Sequence, residues 1–172
     1  MKFSELGYER PDIKALEESF NRLLKDFNSA STFEKQSEIM EEINALRSGI
    51  ETMAEIIGIR HTIDTTDKFY EDEQNYLDEV MPIYEGMVSE YYKSIVNSKF
   101  RDKLEERWGK QVFNIAELTI NTFKPEIIED LQAENKLSSE YTKLIASAKI
   151  DFMGEERNLS GLTLSFNQRI ER

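Results

Sequence analysis

From about Phe33 to about Asp64 the chain contains no proline, and Met40, Ile43, Leu46, Ile50, Met53 and Ile57 recur at steps of three and four. That spacing holds an apolar stripe on one side of a helix for several turns. A strand would alternate with period two instead, so this segment wants helical neighbours rather than a sheet. Only seven glycines and three prolines punctuate the whole chain. Long helices are therefore expected throughout.

The remaining stripes follow the same rule. Ile13, Leu16, Phe20, Leu23, Leu24 and Phe27 mark a first helix, with Pro11 in its first turn. A short connection at Asn28–Thr32 follows, and Ser31 or Thr32 caps the next helix. Thr65-Thr66-Asp67 caps a third, from about Lys68 to Asn97, striped by Leu77, Val80, Tyr84, Met87, Tyr91 and Ile95. Pro82 lies inside it. Proline removes an amide donor and crowds the carbonyl four residues back, so a bend is expected near Asp78 to Pro82. Shorter helices are expected at Phe100–Trp108 and Lys110–Thr122.

Pro125 opens a sixth helix, with Glu126 and Glu129 in its first turn, where the helix dipole favours acids. Its buried side is expected to be Ile127, Ile128, Leu131, Leu137, Tyr141, Leu144 and Ala148. Toward the end the period changes: Ile150, Asp151 and Phe152 alternate, Met153-Gly154-Glu155-Glu156 reads as a tight turn, and a short hairpin is expected from about Lys149 to Asn158. The expected fold is thus all-α. It is a bundle of about five to six long antiparallel helices over residues 1–148, with a short β-hairpin at 149–160 and a tail at 161–172.

Composition excludes whole classes of chemistry. There is no cysteine, so disulfides, thiol nucleophiles and iron–sulfur clusters are impossible. One histidine, His61, cannot build a zinc site needing two or three imidazoles, nor the paired Glu-x-x-His motifs of a di-metal bundle. With 22 Lys and Arg against 34 Asp and Glu, the net charge of −12 opposes a nucleic-acid partner. Lys93, Lys99, Arg101, Lys103, Arg107 and Lys110 make the one basic concentration. Acids interrupt it, which reads as a solvated face of mixed charge. No apolar run approaches the roughly 20 residues a bilayer span needs, so no membrane partner is expected. The acid at Glu5 interrupts any apolar signal core, which points to the cytoplasm.

Candidate functional residues are few. Arg60, His61 and Asp64 form a polar cluster where the second stripe ends, and Arg60 and Asp64 are spaced to pair along a helix. The cluster reads as structural, a satisfied polar junction between helices. The functional alternative is a proton donor or ligand contact facing a cleft. No nucleophile elbow and no glycine-rich phosphate loop is present. Tyr70, Tyr76, Tyr84, Tyr91 and Tyr92 read as core and groove packing. A carboxylate acid–base enzyme would need a deep pocket holding two acids with separated pKa values.

Four stretches add a resemblance. They are Tyr8-Glu9-Arg10-Pro11-Asp12; Ile59-Arg60-His61-Thr62-Ile63-Asp64-Thr65 with Phe69-Tyr70; Pro125-Glu126-Ile127-Ile128-Glu129-Asp130-Leu131; and Ser139 to Ala148. In this order the chain resembles, to about Leu162, the N-terminal region of the oligoendopeptidase F family, zinc peptidases of the thimet-oligopeptidase type. The resemblance implies a helical subdomain forming one wall of a channel that admits short peptides. The family's zinc and general base belong to an HExxH region with no counterpart here, so no catalytic or metal residue is assigned in this chain. The chain is read as truncated before that region and inactive alone.

An alternative is a stand-alone acidic helical interaction module that self-associates through bared apolar surface, with Leu162, Leu164, Phe166 and Ile170 exposed unless they pack.

Overall fold

The computed structural model of the protein describes residues 2–159 and 161–163. Among them are six α-helices: α1 (Ile13–Ser29), α2 (Phe33–Ile63), α3 (Lys68–Val96), α4 (Arg101–Trp108), α5 (Lys110–Thr122) and α6 (Ile128–Ala146). A two-stranded antiparallel sheet follows, β1 (Ile150–Phe152) and β2 (Glu155–Arg157), with Ile150 opposite Arg157. The mainly helical fold with a C-terminal hairpin is as the periodicity predicts.

Local chemistry sets the boundaries. The Asp12 carboxylate accepts from the amides of Lys14 and Ala15, so α1 begins after Asp12, and Pro11 lies before the cap rather than in the first turn. Thr32, not Ser31, caps α2 by accepting from the Lys35 amide. Asp67 caps α3 through the amides of Phe69 and Tyr70. α4 and α5 meet at Gly109, whose φ of 86° lies in the left-handed region open to glycine. The hairpin turns through Met153 and Gly154 at φ 58° and 81°. Two consecutive positive values match the right-handed twist of the strands.

α3 is the axis of the bundle. α1, α2, α5 and α6 all pack against it. Phe20, Phe27, Ile39, Met40, Ile43, Tyr91, Ile95, Leu104 and Phe113 fill the main core. Phe20 meets Tyr84 edge to face, with centroids 6.4 Å apart. A smaller cluster of Ile57, Leu77 and Val80 lies apart from it, covered by Tyr8, Tyr70 and Tyr76. Tyr84, Tyr91 and Tyr92 are buried, as the packing reading predicts.

α3 runs as one helix from Lys68 to Val96 with Pro82 inside it. Three expectations need correction. A 3-10 turn at Pro125–Ile127 precedes α6, so the sixth α-helix starts at Ile128. The tight turn is Met153-Gly154 alone, because Glu155 and Glu156 already belong to β2. The third concerns α6, in which no residue is buried. Leu137, Tyr141 and Leu144, assigned to its buried side, are 65%, 63% and 68% exposed. Ile127, Ile128, Leu131 and Ala148, from the same expected side, are half-buried, but beyond the first turn α6 meets α3 mainly through polar side chains. In the tail, Leu162 is partly buried, while Leu164, Phe166 and Ile170 lie outside the described residues.

Candidate functional site

Three of the four family-like stretches converge at one end of the bundle, where the N-terminal segment crosses the end of α2 and the start of α3. The Tyr8 hydroxyl donates to Glu73 Oε2 at 2.6 Å. Arg10 donates through Nε at 2.9 Å to the same oxygen and through Nη2 at 2.5 Å to Oε1, while its guanidinium lies 4.8 Å from the Tyr76 ring centre. The Tyr76 hydroxyl donates to the Pro11 carbonyl at 2.6 Å. Glu73 is only 4% exposed, so its charge is tolerable because Arg10 and Tyr8 fill its lone pairs. The Arg10 hydrogen bonds hold its carboxyl below the usual range, although burial opposes this. Burial, followed by the bond to Glu73, pushes the Tyr8 phenol well above its ordinary value. Neither group changes charge near neutrality, so the arrangement is a clamp and not an acid–base pair.

The sequence-predicted cluster lies beside this clamp. Arg60 Nη2 donates to the Leu6 carbonyl at 2.6 Å and lies over the rings of Phe3 and Tyr70. It does not pair with Asp64. Asp64 is instead turned into the α2–α3 loop, where its Oδ1 accepts the Thr66 amide at 2.9 Å and the Thr66 hydroxyl at 2.7 Å. Those two bonds, the hydroxyl's the larger, lower its carboxyl. His61 is buried at 3% exposure. Arg60 and Asp64 thus serve different contacts, while His61 between them is buried.

On the other flank, Thr62, Ile63, Asp64 and Thr65 join Tyr141 and Ile145 of α6 around a cavity of about 420 Å³. The fourth stretch therefore reaches the same end through α6. Its attachment to α3 begins with Pro82. Proline offers no amide to the carbonyl four residues earlier, which is Asp78 O. Asn135 Nδ2 donates to that carbonyl at 3.3 Å, and Gln132 Nε2 to the next, Glu79 O, at 2.7 Å. Ser139 Oγ donates to the buried Asp78 carboxylate at 2.6 Å, beside Gln74 Nε2 at 2.8 Å. Lys136 pairs with Glu79 at 3.0 Å and Lys143 with Glu71 at 2.9 Å. A polar seam therefore fastens α6 over the proline.

A second cleft, of about 510 Å³, opens between α2, α3 and α5. It holds Glu51 and Glu85. Glu51 accepts from the Tyr84 hydroxyl at 2.5 Å and lies 3.6 Å from Arg47. Desolvation by the crowded walls raises the Glu85 carboxyl. Glu51 is thus committed to its neighbours, and the pair of free carboxylates that an acid–base enzyme needs is not assembled here. Half of the basic concentration is taken up in ion pairs: Lys93 pairs with Glu90, Arg101 with Glu105 and Glu117, and Arg107 with Glu41.

Among the described residues, no three His, Cys, Asp or Glu side chains are grouped to hold a metal ion. The donor set does not fit the zinc centre of a peptidase.

Glu73, Asp78 and the seam of α6 went unassigned in the sequence. The signal for Glu73 was there: it occupies the same helical stripe as Leu77, Val80 and Tyr84, an acid at an apolar position. Gln132, Asn135, Ser139 and Lys143 likewise form a polar stripe at helical period, opposite the apolar one.

Residues 3–123 match the peptidase M3 N-terminal domain. Three solved structures are similar over almost the whole chain. One, of PZ peptidase A with an inhibitor, is 52% identical at a TM-score of 0.92, covering 99% of this chain and 32% of its own. A structure described as an oligoendopeptidase F is 51% identical at a TM-score of 0.92, with the same coverage. Another, from Bacillus anthracis, is 47% identical at a TM-score of 0.91, covering 95% of this chain and 30% of its own. The chain therefore spans less than a third of the length of these proteins. No curated protein matches it.

Proposed function

The chain belongs to the peptidase M3 N-terminal domain family, and on that premise we propose that it is the helical, channel-wall part of a zinc oligopeptidase that hydrolyses short peptides. In this reading it has no hydrolytic centre of its own. The hydrolytic zinc, which polarises the scissile carbonyl and activates water, belongs to another part of the enzyme. The supporting observation is a combination: close likeness to peptidases over 99% of this chain, with a donor set of one buried histidine and no cysteine. Arg10, Glu73 and Arg60 then act as fasteners that hold the N-terminal segment across α2 and α3. Arg60, His61 and Asp64 are proposed to be structural. The enzyme is placed in the cytoplasm.

The test is a zinc analysis and a quenched-fluorescence peptide assay on the purified chain. No stoichiometric zinc and no turnover are expected. Zinc-dependent cleavage of short peptides by this chain alone would defeat the proposal.

Residues 1–148 are further proposed to be the unit that folds, with the hairpin at 149–160 and the segment 161–172 dispensable to it. A version ending at residue 148 should keep a cooperative melt near that of the full chain. Loss of cooperativity would show that the division is wrong.

A further inference from the structure

Beyond its first turn, where Ile128 and Leu131 are half-buried, α6 lies on α3 inside out. Gln132, Asn135, Ser139 and Lys143 face the bundle and carry the seam, whereas Leu137, Tyr141 and Leu144 point away from it. A helix normally turns its apolar stripe inward, because burial of that stripe is what holds it in place. Here the stripe is left for something else. It is continuous with Ile63, 76% exposed, across the cavity that Tyr141 and Ile145 share with the end of α2.

Charge narrows the partner. α6 has two lysines, and both are spent in the seam on Glu79 and Glu71. The groups left along the outer face are Asp130, Glu134 and Glu140, all exposed and without an ion pair among the described residues. The outer face is therefore apolar with an acidic rim. It suits a helix with leucine-like anchors flanked by Lys or Arg, and it repels a second copy of itself, whose rim is equally acidic. Length names the source. The similar peptidases carry this same fold at a TM-score of 0.92 within chains of which it is 32%. Most of each such chain lies outside the fold.

We infer that the outer face of α6, centred on Tyr141 and Leu144 and continued by Ile63, is the docking surface for a basic amphipathic helix from the rest of an M3 peptidase. This rests on the proposed function above and adds the surface, the residues and the chemistry of the contact.

The test is co-expression of the tagged chain with the part of PZ peptidase A that lies outside the matched stretch. The two should co-purify, less well at high salt because the rim is screened. The double variant Tyr141→Glu, Leu144→Glu should reduce recovery at least tenfold. Its circular dichroism and melting temperature should stay unchanged, since both side chains are exposed. In parallel, a fluorescent helical peptide with leucine anchors and lysine flanks should bind the chain, and its glutamate-flanked counterpart should not. Co-purification that the double variant leaves intact would overturn the docking surface while sparing the proposed function. Failure of both co-purification and the lysine-flanked peptide would overturn both. Dimerisation of the chain that the double variant abolishes would overturn the assignment in favour of a second copy.

Discussion

α5 and α6 follow each other in the chain and both lean on α3, yet they hold to it by opposite means. α5 sends Phe113 and Ala116, each fully buried, into the main core. α6 fully buries no residue: Ile128 and Leu131 are half-buried at its start, and beyond them it relies on side-chain amides, a hydroxyl and two lysines. The difference shows what each helix is for. Apolar burial stabilises by a few kcal/mol per large side chain, while a hydrogen bond exchanged with water contributes about 1 kcal/mol. α5 is therefore part of what makes the chain fold. α6 is placed by specific contacts at low energetic cost, and this leaves its apolar stripe free.

The comparison breaks most visibly at Phe113. Phe113→Ala removes a fully buried ring, and the close-packed helices around it cannot collapse to fill the gap. A loss of about 3–5 kcal/mol is expected from denaturant titration. A loss no greater than that of a seam variant would mean α5 and α6 are not held differently after all.

A polar contact can also matter where water is excluded, and Glu73 sharpens the contrast on that point. Glu73→Ala strands the Tyr8 hydroxyl and unfastens Arg10 from α3. Its cost should fall between that of Phe113→Ala and those of the seam variants. The pH dependence has a fixed sign. The Glu73 carboxyl is lowered in the folded state from its ordinary 4.5, so its stabilisation is fully present above that value. It fades as pH falls through the lowered folded value. Acid unfolding should be shallower for Glu73→Gln than for the parent chain. An identical acid profile would remove Glu73 from the clamp.

What the sequence discloses follows the same division. Helices held by apolar stripes are legible: α2 was expected from about Phe33 to Asp64 and runs Phe33–Ile63, and α5 was expected at Lys110–Thr122, where it lies. Their boundaries are set by caps and by Gly109, which are local signals. The orientation of α6 was not legible by the same rule. Its Leu137, Tyr141 and Leu144 form a sound amphipathic stripe, and nothing local says that the opposite face will find the Asp78 carbonyl that Pro82 leaves without an amide. That information is held jointly by α3 and α6. The clamp was half visible: Tyr8 and Arg10 were in a family-like stretch, but the partner at Glu73 is more than sixty residues away in sequence. The Arg60–Asp64 pair had the right spacing and failed because each side chain had a better offer, Leu6 O for one and Thr66 for the other.

The seam itself gives a smaller effect. Asn135→Ala leaves Asp78 O without the donor that replaces the missing proline amide, and about 0.5–1.5 kcal/mol should be lost. The more telling readout is local. In native-state hydrogen exchange, α6 amides should exchange by an opening well below global unfolding, and Asn135→Ala should speed them while α2 and α3 keep their protection. If α6 amides exchange only with global unfolding, the seam is stronger than its parts suggest.

The smallest effect is expected at Leu144, and it decides the comparison. For a leucine on an ordinary amphipathic helix, replacement by glutamine would cost the burial of the side chain. Here Leu144 is 68% exposed and spaced to lie along the line of Tyr141 and Leu137, so Leu144→Gln should change unfolding free energy by less than about 0.5 kcal/mol. Solubility should rise, because an exposed apolar patch is being interrupted. A loss of 2 kcal/mol or more, about what burying a leucine contributes, would mean that α6 turns its stripe inward in solution. The seam would then have to be broken to permit it, and Asn135→Ala would no longer cost anything. The two substitutions therefore bracket the orientation of one helix: a cost at Asn135 with none at Leu144 holds α6 with its polar face on Pro82, and the reverse turns it over.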